Sequence, residues 1–417
     1  MSQKKKSWFR RLGPGFITGA ADDDPSGIVT YTQAGAQFGF GQLWTVFFTF
    51  PLMMAMQEMV GRIGMVSGRG ITDIVRRIFP KWVLFAFVGL ILLANTINIG
   101  TDLGAMAEVT RLIFPQIPFV ILAIGFTALI LFLEIFISYQ TYAKILKWFA
   151  LALFSYVITL ILVTQDWTEL WFNLITPHFQ ISKPFILTLV AILGTTISPY
   201  LFIWQANEEV EEEIAEGRSC FKKRMGATKE EIKEMRRDTA IGMLFSQIIM
   251  FCIIATAGSA FFKNGIFDIQ SAGQAAQALQ PLAGHWASYV FALGVIGTGL
   301  LAVPVLSASA SYALSEAFGW KEGLYRKFRQ AHGFYGVITF ATLLGLMINF
   351  VGINPIKALI WTAVLNGVVT PPLILVIVKI ANDKKIMGKH VNGVWSNFLG
   401  GITFLVTSVC VLLLFVL

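Results

Sequence analysis

Residues 19–31 read "GAADDDPSGIVTY", so Asp22, Asp23 and Asp24 stand in a row before Pro25 inside an otherwise apolar segment. A carboxylate at mid-bilayer costs at least about 2.5–3.5 kcal/mol on insertion scales, so acids kept there are expected to bind a cation, carry a proton or pair with another group. With about 3.6 residues per turn, consecutive helical side chains point about 100° apart. Three adjacent aspartates therefore cannot converge on one site while the helix lasts. Asp24 adjoins the proline, where freed carbonyls can join its carboxylate around a cation, and it is the expected metal-binding residue. Asp22 and Asp23 are expected to support it, by pairing within the bundle, lining an inner vestibule or carrying a proton.

A second segment repeats the pattern. "GTTISPYL" (194–201) places Thr195, Thr196, Ser198 and Tyr200 around Pro199. Neither segment holds Met, Cys or His, and the four histidines (His178, His285, His332, His390) fall at predicted helix ends or in loops. An all-oxygen site suits hard ions such as Mg²⁺, Mn²⁺ or Ca²⁺ better than soft ones. The competing role for these hydroxyls is to cap backbone groups freed at the proline.

The elements that position these residues are membrane helices. Hydrophobic residues make up 56% of the 417, and only 13% are charged, against about 25% in a typical soluble domain. Apolar runs of about 20 residues recur, enough to cross a bilayer core. The pattern predicts an all-α polytopic membrane protein with eleven transmembrane helices, spans one to eleven, at roughly 13–39, 41–66, 82–105, 117–138, 141–163, 184–207, 239–262, 286–315, 331–350, 354–381 and 394–417.

Spans one and six carry the two proline segments. Proline removes a helical hydrogen bond and pushes the preceding residue out of helical geometry. In lipid, the freed groups are tolerated only where protein encloses them. Two broken spans, five apart, point to an inverted five-plus-five repeat with a midplane site. Repeat one covers about 13–163, repeat two about 184–381, and span eleven is an appendage, all within a single transmembrane domain over 1–417.

Charge sets the expected orientation. With the N-terminus inside, 28 of the 32 Lys and Arg fall on inner segments; only Arg111, Lys183, Lys263 and Lys357 lie outside. This asymmetry predicts a cytoplasmic N-terminus and an outer C-terminus. It also accounts for the net charge of +8 without any nucleic-acid partner. The basic start "MSQKKKSWFRRL" shows no cleavable signal pattern. Cys220, Cys252 and Cys410 are far apart, with no metal spacing, and are expected to be inert thiols.

The polar stretch 208–238 is expected to be an inner loop with a short solvated helix. Its "EEVEEE" start would lie about 13–21 Å from Pro199 on a continuous helix, and Glu208 and Glu209 are the acids expected to reach an ion pathway. Glu58 and Arg62 have the spacing of an intrahelical pair.

These motifs resemble the Nramp family of divalent metal transporters. "GPGFITGAADDDPSG" is similar to its first helix, where Gly-Pro-Gly leads to Asp-Pro-Gly-Asn; "MQEMVGRIGMVSGRGI" (56–71) and "GTDLGAMAEV" (100–109) are similar to its second and third helices. The resemblance implies a LeuT-type inverted repeat and import of Mn²⁺, Fe²⁺ and similar ions, usually with protons. Asp24 matches the family's metal-binding aspartate. The family's Asn is Gly27 here, its sixth-helix Met is Ser198, and its adjacent His is Tyr200. A second sixth-helix His falls at Gln205. Asp102 matches a third-helix acid of the proton route, while the nearby Glu falls at Ala105. The tenth-helix Gln falls at Ala363, with Asn366 one turn away. In LeuT-type transporters, hydroxyls on the eighth helix can hold Na⁺, which makes Ser307 and Ser311 a candidate Na⁺ site.

Loss of the thioether removes the ligand that discriminates transition metals. The expectation is therefore a secondary transporter of a hard divalent cation, Mg²⁺ or Mn²⁺, in the cytoplasmic membrane of a prokaryote, with H⁺ or Na⁺ as a candidate co-ion and no other cofactor. Nothing in the sequence sets an oligomeric state. Two other readings keep the fold: transport of a small non-metal substrate or another ion, and a non-transporting sensor. No nucleophile–base pair or nucleotide-binding motif points to an enzyme.

Overall fold

The computed structural model describes residues 13–137, 139–163, 166–269, 272–278, 285–352 and 355–417. Among them the chain is helical, without strands. Among the described residues, eight helical segments are long and apolar enough to cross a membrane: Lys81–Ile113, Phe119–Phe136, Lys144–Leu162, Lys183–Ala215, Lys229–Asn264, Ser288–Phe318, Lys357–Ala381 and Val394–Val416. They correspond to spans three to eight, ten and eleven. Span one is divided into 1a (Pro14–Asp22) and 1b (Pro25–Phe38). Span two is Trp44–Ser67 and span nine is the shorter His332–Ile348.

Both proline breaks have the same construction. Span 6a (Lys183–Thr196) is separated from 6b (Pro199–Ala215) by Ile197 and Ser198, as 1a is separated from 1b by Asp23 and Asp24. The residue before each proline is extended: Asp24 has φ −69° and ψ 168°, Ser198 φ −80° and ψ 132°. Each proline then opens the second half-helix, the one position where its missing N–H and fixed φ cost nothing.

Two boundaries differ from the sequence expectation. Span three runs to Ile113, two turns beyond residue 105. The expected inner loop 208–238 is largely helix: 6b continues to Ala215, and span seven starts at Lys229. Thr228 is the cause of that early start. Its hydroxyl accepts the Glu231 N–H at 3.2 Å while the Glu231 carboxylate accepts the Thr228 N–H at 2.7 Å. This capping box satisfies the first-turn donors in a polar segment that hydropathy alone assigns to a loop.

Span seven braces span 1a by backbone contact. A Cβ on Gly19 would lie 2.1 Å from the Gly242 carbonyl carbon, and one on Gly15 would lie 2.6 Å from the Thr239 nitrogen. At the other break, a Cβ on Gly194 would meet the Ala363 carbonyl oxygen at 2.1 Å. Small residues at both crossings let the broken spans approach their neighbours closely, the usual device for packing helices in lipid.

Candidate functional site

Asp24 is the N-cap of 1b. Its Oδ1 accepts the Gly27 N–H at 2.6 Å and the Ser26 hydroxyl at 2.8 Å. Its Oδ2 accepts the Asn98 amide of span three at 2.7 Å. The carboxylate thus sits on the positive end of a half-helix in the protein interior, with 2% of the residue exposed. The helix dipole and orphan N–H groups stabilise charge there. Gly27 leaves room for this: a Cβ at that position would stand 3.3 Å from Asp24 Oδ1 and 3.5 Å from the Asp22 carbonyl oxygen.

Asn98 escaped the sequence reading. It is one of two asparagines in a long apolar span, and only the fold shows which neighbour it meets. The second, Asn95, donates to the Leu306 carbonyl at 3.0 Å and so ties span three to span eight. The Oδ1 of Asn98 has no hydrogen-bond partner although the residue is fully buried.

The other two aspartates meet span seven. Ser246 of span seven lies 2.8 Å from Asp22 Oδ2 and 3.4 Å from Asp23 Oδ1. Among the described residues, no three acids, histidines or cysteines are close enough together to hold one ion. The run of aspartates is thus split between span three and span seven.

The sixth-span residues link the two breaks. Tyr200 donates to the Ala21 carbonyl at 2.8 Å, and the Thr195 hydroxyl lies 3.1 Å from the Tyr31 phenol. Each 'b' half-helix therefore reaches the end of the opposite 'a' half. Thr195 also donates to Ile192, Thr196 to Ile192 and Ser198 to Gly194, each at 2.9 Å; Ser198 also approaches the Thr195 carbonyl. Their protons are spent on backbone, and their lone pairs remain available as acceptors. The Thr370 hydroxyl of span ten lies 2.9 Å from the freed Ile197 carbonyl and 2.7 Å from the Asn366 backbone carbonyl; the Asn366 side chain is buried.

Asp102 is fully buried beside the Ser26 amide, near Asp24. The Ser307 and Ser311 hydroxyls are not brought together on span one. Ser307 donates to Glu134 of span four at 2.7 Å and Ser311 to the Phe334 carbonyl of span nine at 2.5 Å. Ser309 is the span-eight hydroxyl that meets a broken span, donating to the Tyr200 carbonyl at 2.9 Å. Glu134, a buried acid without a motif around it, was not singled out in the sequence.

Beside the C-terminal parts of spans six and eight, a cavity of about 120 Å³ is lined by Asp73, Asn207, Glu211, Tyr312 and Glu322, among others. Glu208 and Glu209 do not line it; Glu209 instead accepts the Gln205 amide at 2.7 Å. Helical rotation puts Glu211 there, where it accepts Tyr312 at 2.5 Å and the Leu324 N–H at 2.7 Å. Glu58 does pair with Arg62, at 2.9 Å, and also takes Arg236 of span seven at 2.8 Å.

Matching breaks five spans apart, joined to each other and carrying a buried carboxylate, define a LeuT-type inverted-repeat membrane-transporter fold. The chain belongs to the Nramp family: residues 15–417 match the family described as natural resistance-associated macrophage protein-like. It is 23% identical over 384 residues to the divalent metal cation transporter MntH of Caldanaerobacter subterraneus subsp. tengcongensis, spanning 92% of this chain and 87% of that protein. It is 26% identical over 400 residues to MntH of Bacillus subtilis, spanning 92% and 86%. The fold is similar to the Eremococcus coleocola manganese transporter in complex with an aromatic bis-isothiourea substituted compound, with TM-score 0.77, 15% identity and coverage of 100% and 88%. It is also similar to a nucleobase-cation-symport-1 family transporter in a closed conformation, with TM-score 0.63, 13% identity and coverage of 97% and 89%.

Proposed function

We propose that this chain is a secondary transporter of a hard divalent metal cation, Mg²⁺ or Mn²⁺ in preference to soft transition metals. The observation that carries this reading is the pair Asp24–Asn98: a carboxylate held at a helix break, beside an amide oxygen that has no partner. Rotation of the Asn98 amide or entry of an ion between the two would give that oxygen its partner. The MntH relatives, named divalent metal cation transporters, support the substrate class.

In this proposal Asp24 supplies the charge, and Asn98 and the lone pairs of Thr195 and Ser198 supply neutral oxygen. Gly27 keeps the approach open, and Tyr200 holds the wall. Mg²⁺ retains several of its waters, so few protein ligands are enough. Ser198 offers oxygen where the family places sulfur, which favours the hard ion. Asp102 is the acid placed to pass a proton co-ion. The N-terminus faces the cytoplasm, as the Lys and Arg distribution indicates. The two repeats, forming one domain, move around the fixed breaks to give alternating access.

Flux into proteoliposomes tests the proposal. Wild-type protein is expected to carry Mg²⁺ and Mn²⁺ in preference to Cd²⁺, and Asp24→Asn is expected to abolish the flux. A wild-type protein that moves neither hard ion, or an Asp24→Asn variant that moves them equally well, overturns it. A small organic substrate or a sensor role would then become the leading reading.

A further inference from the structure

We infer that Asp22 and Asp23, with Ser246, form a seat for a second hard cation, separate from Asp24. The inference rests on the transport reading above and adds to it a second ion per chain.

Both carboxylates are fully buried. The Ser246 hydroxyl is the donor they share, and a hydroxyl has a single proton to give. The remaining oxygens, Asp22 Oδ1 and Asp23 Oδ2, have no hydrogen-bond partner. Among the described residues, no ion pair reaches either acid. Tyr31, Tyr156, Tyr200, the Cys252 thiol and Asp24 each interact electrostatically with one or both acids, and none of these groups is cationic. Two adjacent buried carboxylates with one hydroxyl between them lack the countercharge that burial demands.

The arrangement is also built rather than incidental. The Gly19–Gly242 contact locks span 1a to span seven. Asp22 and Asp23 follow Gly19 by about one turn, and Ser246 follows Gly242 by four residues, so the same contact brings all three together. One ion cannot serve the whole acidic run, because Asp24 uses donors from 1b and span three and no three acids converge. The two-carboxylate charge and all-oxygen donors (Ser246 and the two acids) fit a hard cation, either a second copy of the divalent substrate or Na⁺.

Equilibrium binding to the purified full-length protein separates the two seats, with Mn²⁺ counted by the loss of its free-ion spectroscopic signal and Na⁺ by radioactive tracer. About two ions per chain are expected for the wild type, as two Mn²⁺ or as one Mn²⁺ with one Na⁺. Asp22→Asn/Asp23→Asn is expected to retain the Asp24 ion and lose the other; Asp24→Asn is expected to do the reverse. Ser246→Ala, which leaves both carboxylates in place and guards against misfolding of the double variant, is expected to weaken only the second ion, about tenfold. A single ion in the wild type, or an ion count unchanged by the double variant, overturns the second seat and leaves the transport reading intact. Absence of all Mn²⁺ binding in a folded wild type overturns both.

Discussion

Tyr200 and Ala21 join the two broken spans: the phenol at the start of 6b donates to the last-turn carbonyl of 1a at 2.8 Å. Tyr31 of 1b stands in the reciprocal place, 3.1 Å from Thr195 of 6a. The start of 6b thus satisfies a carbonyl freed at the end of 1a, and a side-chain contact ties 1b to the end of 6a. A carbonyl left unpaired in this interior would cost about 1–3 kcal/mol.

The two tyrosines should not respond alike to loss of their hydroxyls. Tyr200→Phe removes the donor of a buried carbonyl and should lower stability by about 1–3 kcal/mol. Tyr31→Phe should cost less, because the Thr195 hydroxyl keeps the Ile192 carbonyl as its acceptor at 2.9 Å. Thermal unfolding of both variants in detergent measures the order; equal losses would count against the difference between the two contacts.

Asn98→Leu keeps the size of the side chain and removes both its donor and its orphan oxygen. Mn²⁺ affinity should fall about tenfold, equivalent to about 1.4 kcal/mol, with the fold intact. Calorimetric titration reads this directly, and an unchanged affinity would exclude Asn98 from the site.

Gly19→Ala should separate span 1a from span seven. The added methyl would meet the Gly242 backbone at 2.1 Å, where no flexible side chain can yield. Overpacking of this kind costs about 1–3 kcal/mol or more. The expected outcome is a lower melting temperature together with loss of transport, measured by unfolding and proteoliposome flux. Gly401→Ala is the control, since nothing lies within 4 Å of its added Cβ.

Glu322, in the loop after span eight, gives a pH dependence. Burial first, then the charges of Glu316, Asp73 and Glu211, push its carboxyl up to about 10. An unfolded chain releases this proton near about pH 4.3. The folded chain keeps it, so the contribution to stability is complete below that value and is lost as pH rises towards 10. Glu322→Gln holds the neutral form permanently. Its melting temperature should exceed that of the wild type at pH 8 and converge with it at pH 4; the opposite trend would contradict the assignment.

Much of this architecture was legible in the sequence for simple reasons. Proline within an apolar run has few tolerated positions, so Pro25 and Pro199 marked the breaks. Helical rotation predicts that Asp22, Asp23 and Asp24 diverge; in the structure the break itself parts them, because Asp23 and Asp24 lie between the two half-helices. What stayed hidden were the partners. Asn98 and Glu134 lie in apolar spans whose facing is set by tertiary packing. The serine run of span eight shows the same limit: spacing identified the hydroxyls but not that Ser307 meets Glu134 while Ser309 meets Tyr200. Likewise, the acidic run after Pro199 did not reveal that Glu211, rather than Glu208 or Glu209, lines the cavity beside Asp73 and Tyr312.

The central claim is that a hard divalent ion occupies the break between Asp24 and Asn98. Anomalous X-ray scattering from Mn²⁺-soaked crystals tests it most directly. The account predicts a peak within coordination distance of Asp24 that disappears in Asp24→Asn. A protein that transports Mn²⁺ but shows no density at this break, or whose peak there survives the substitution, would contradict it.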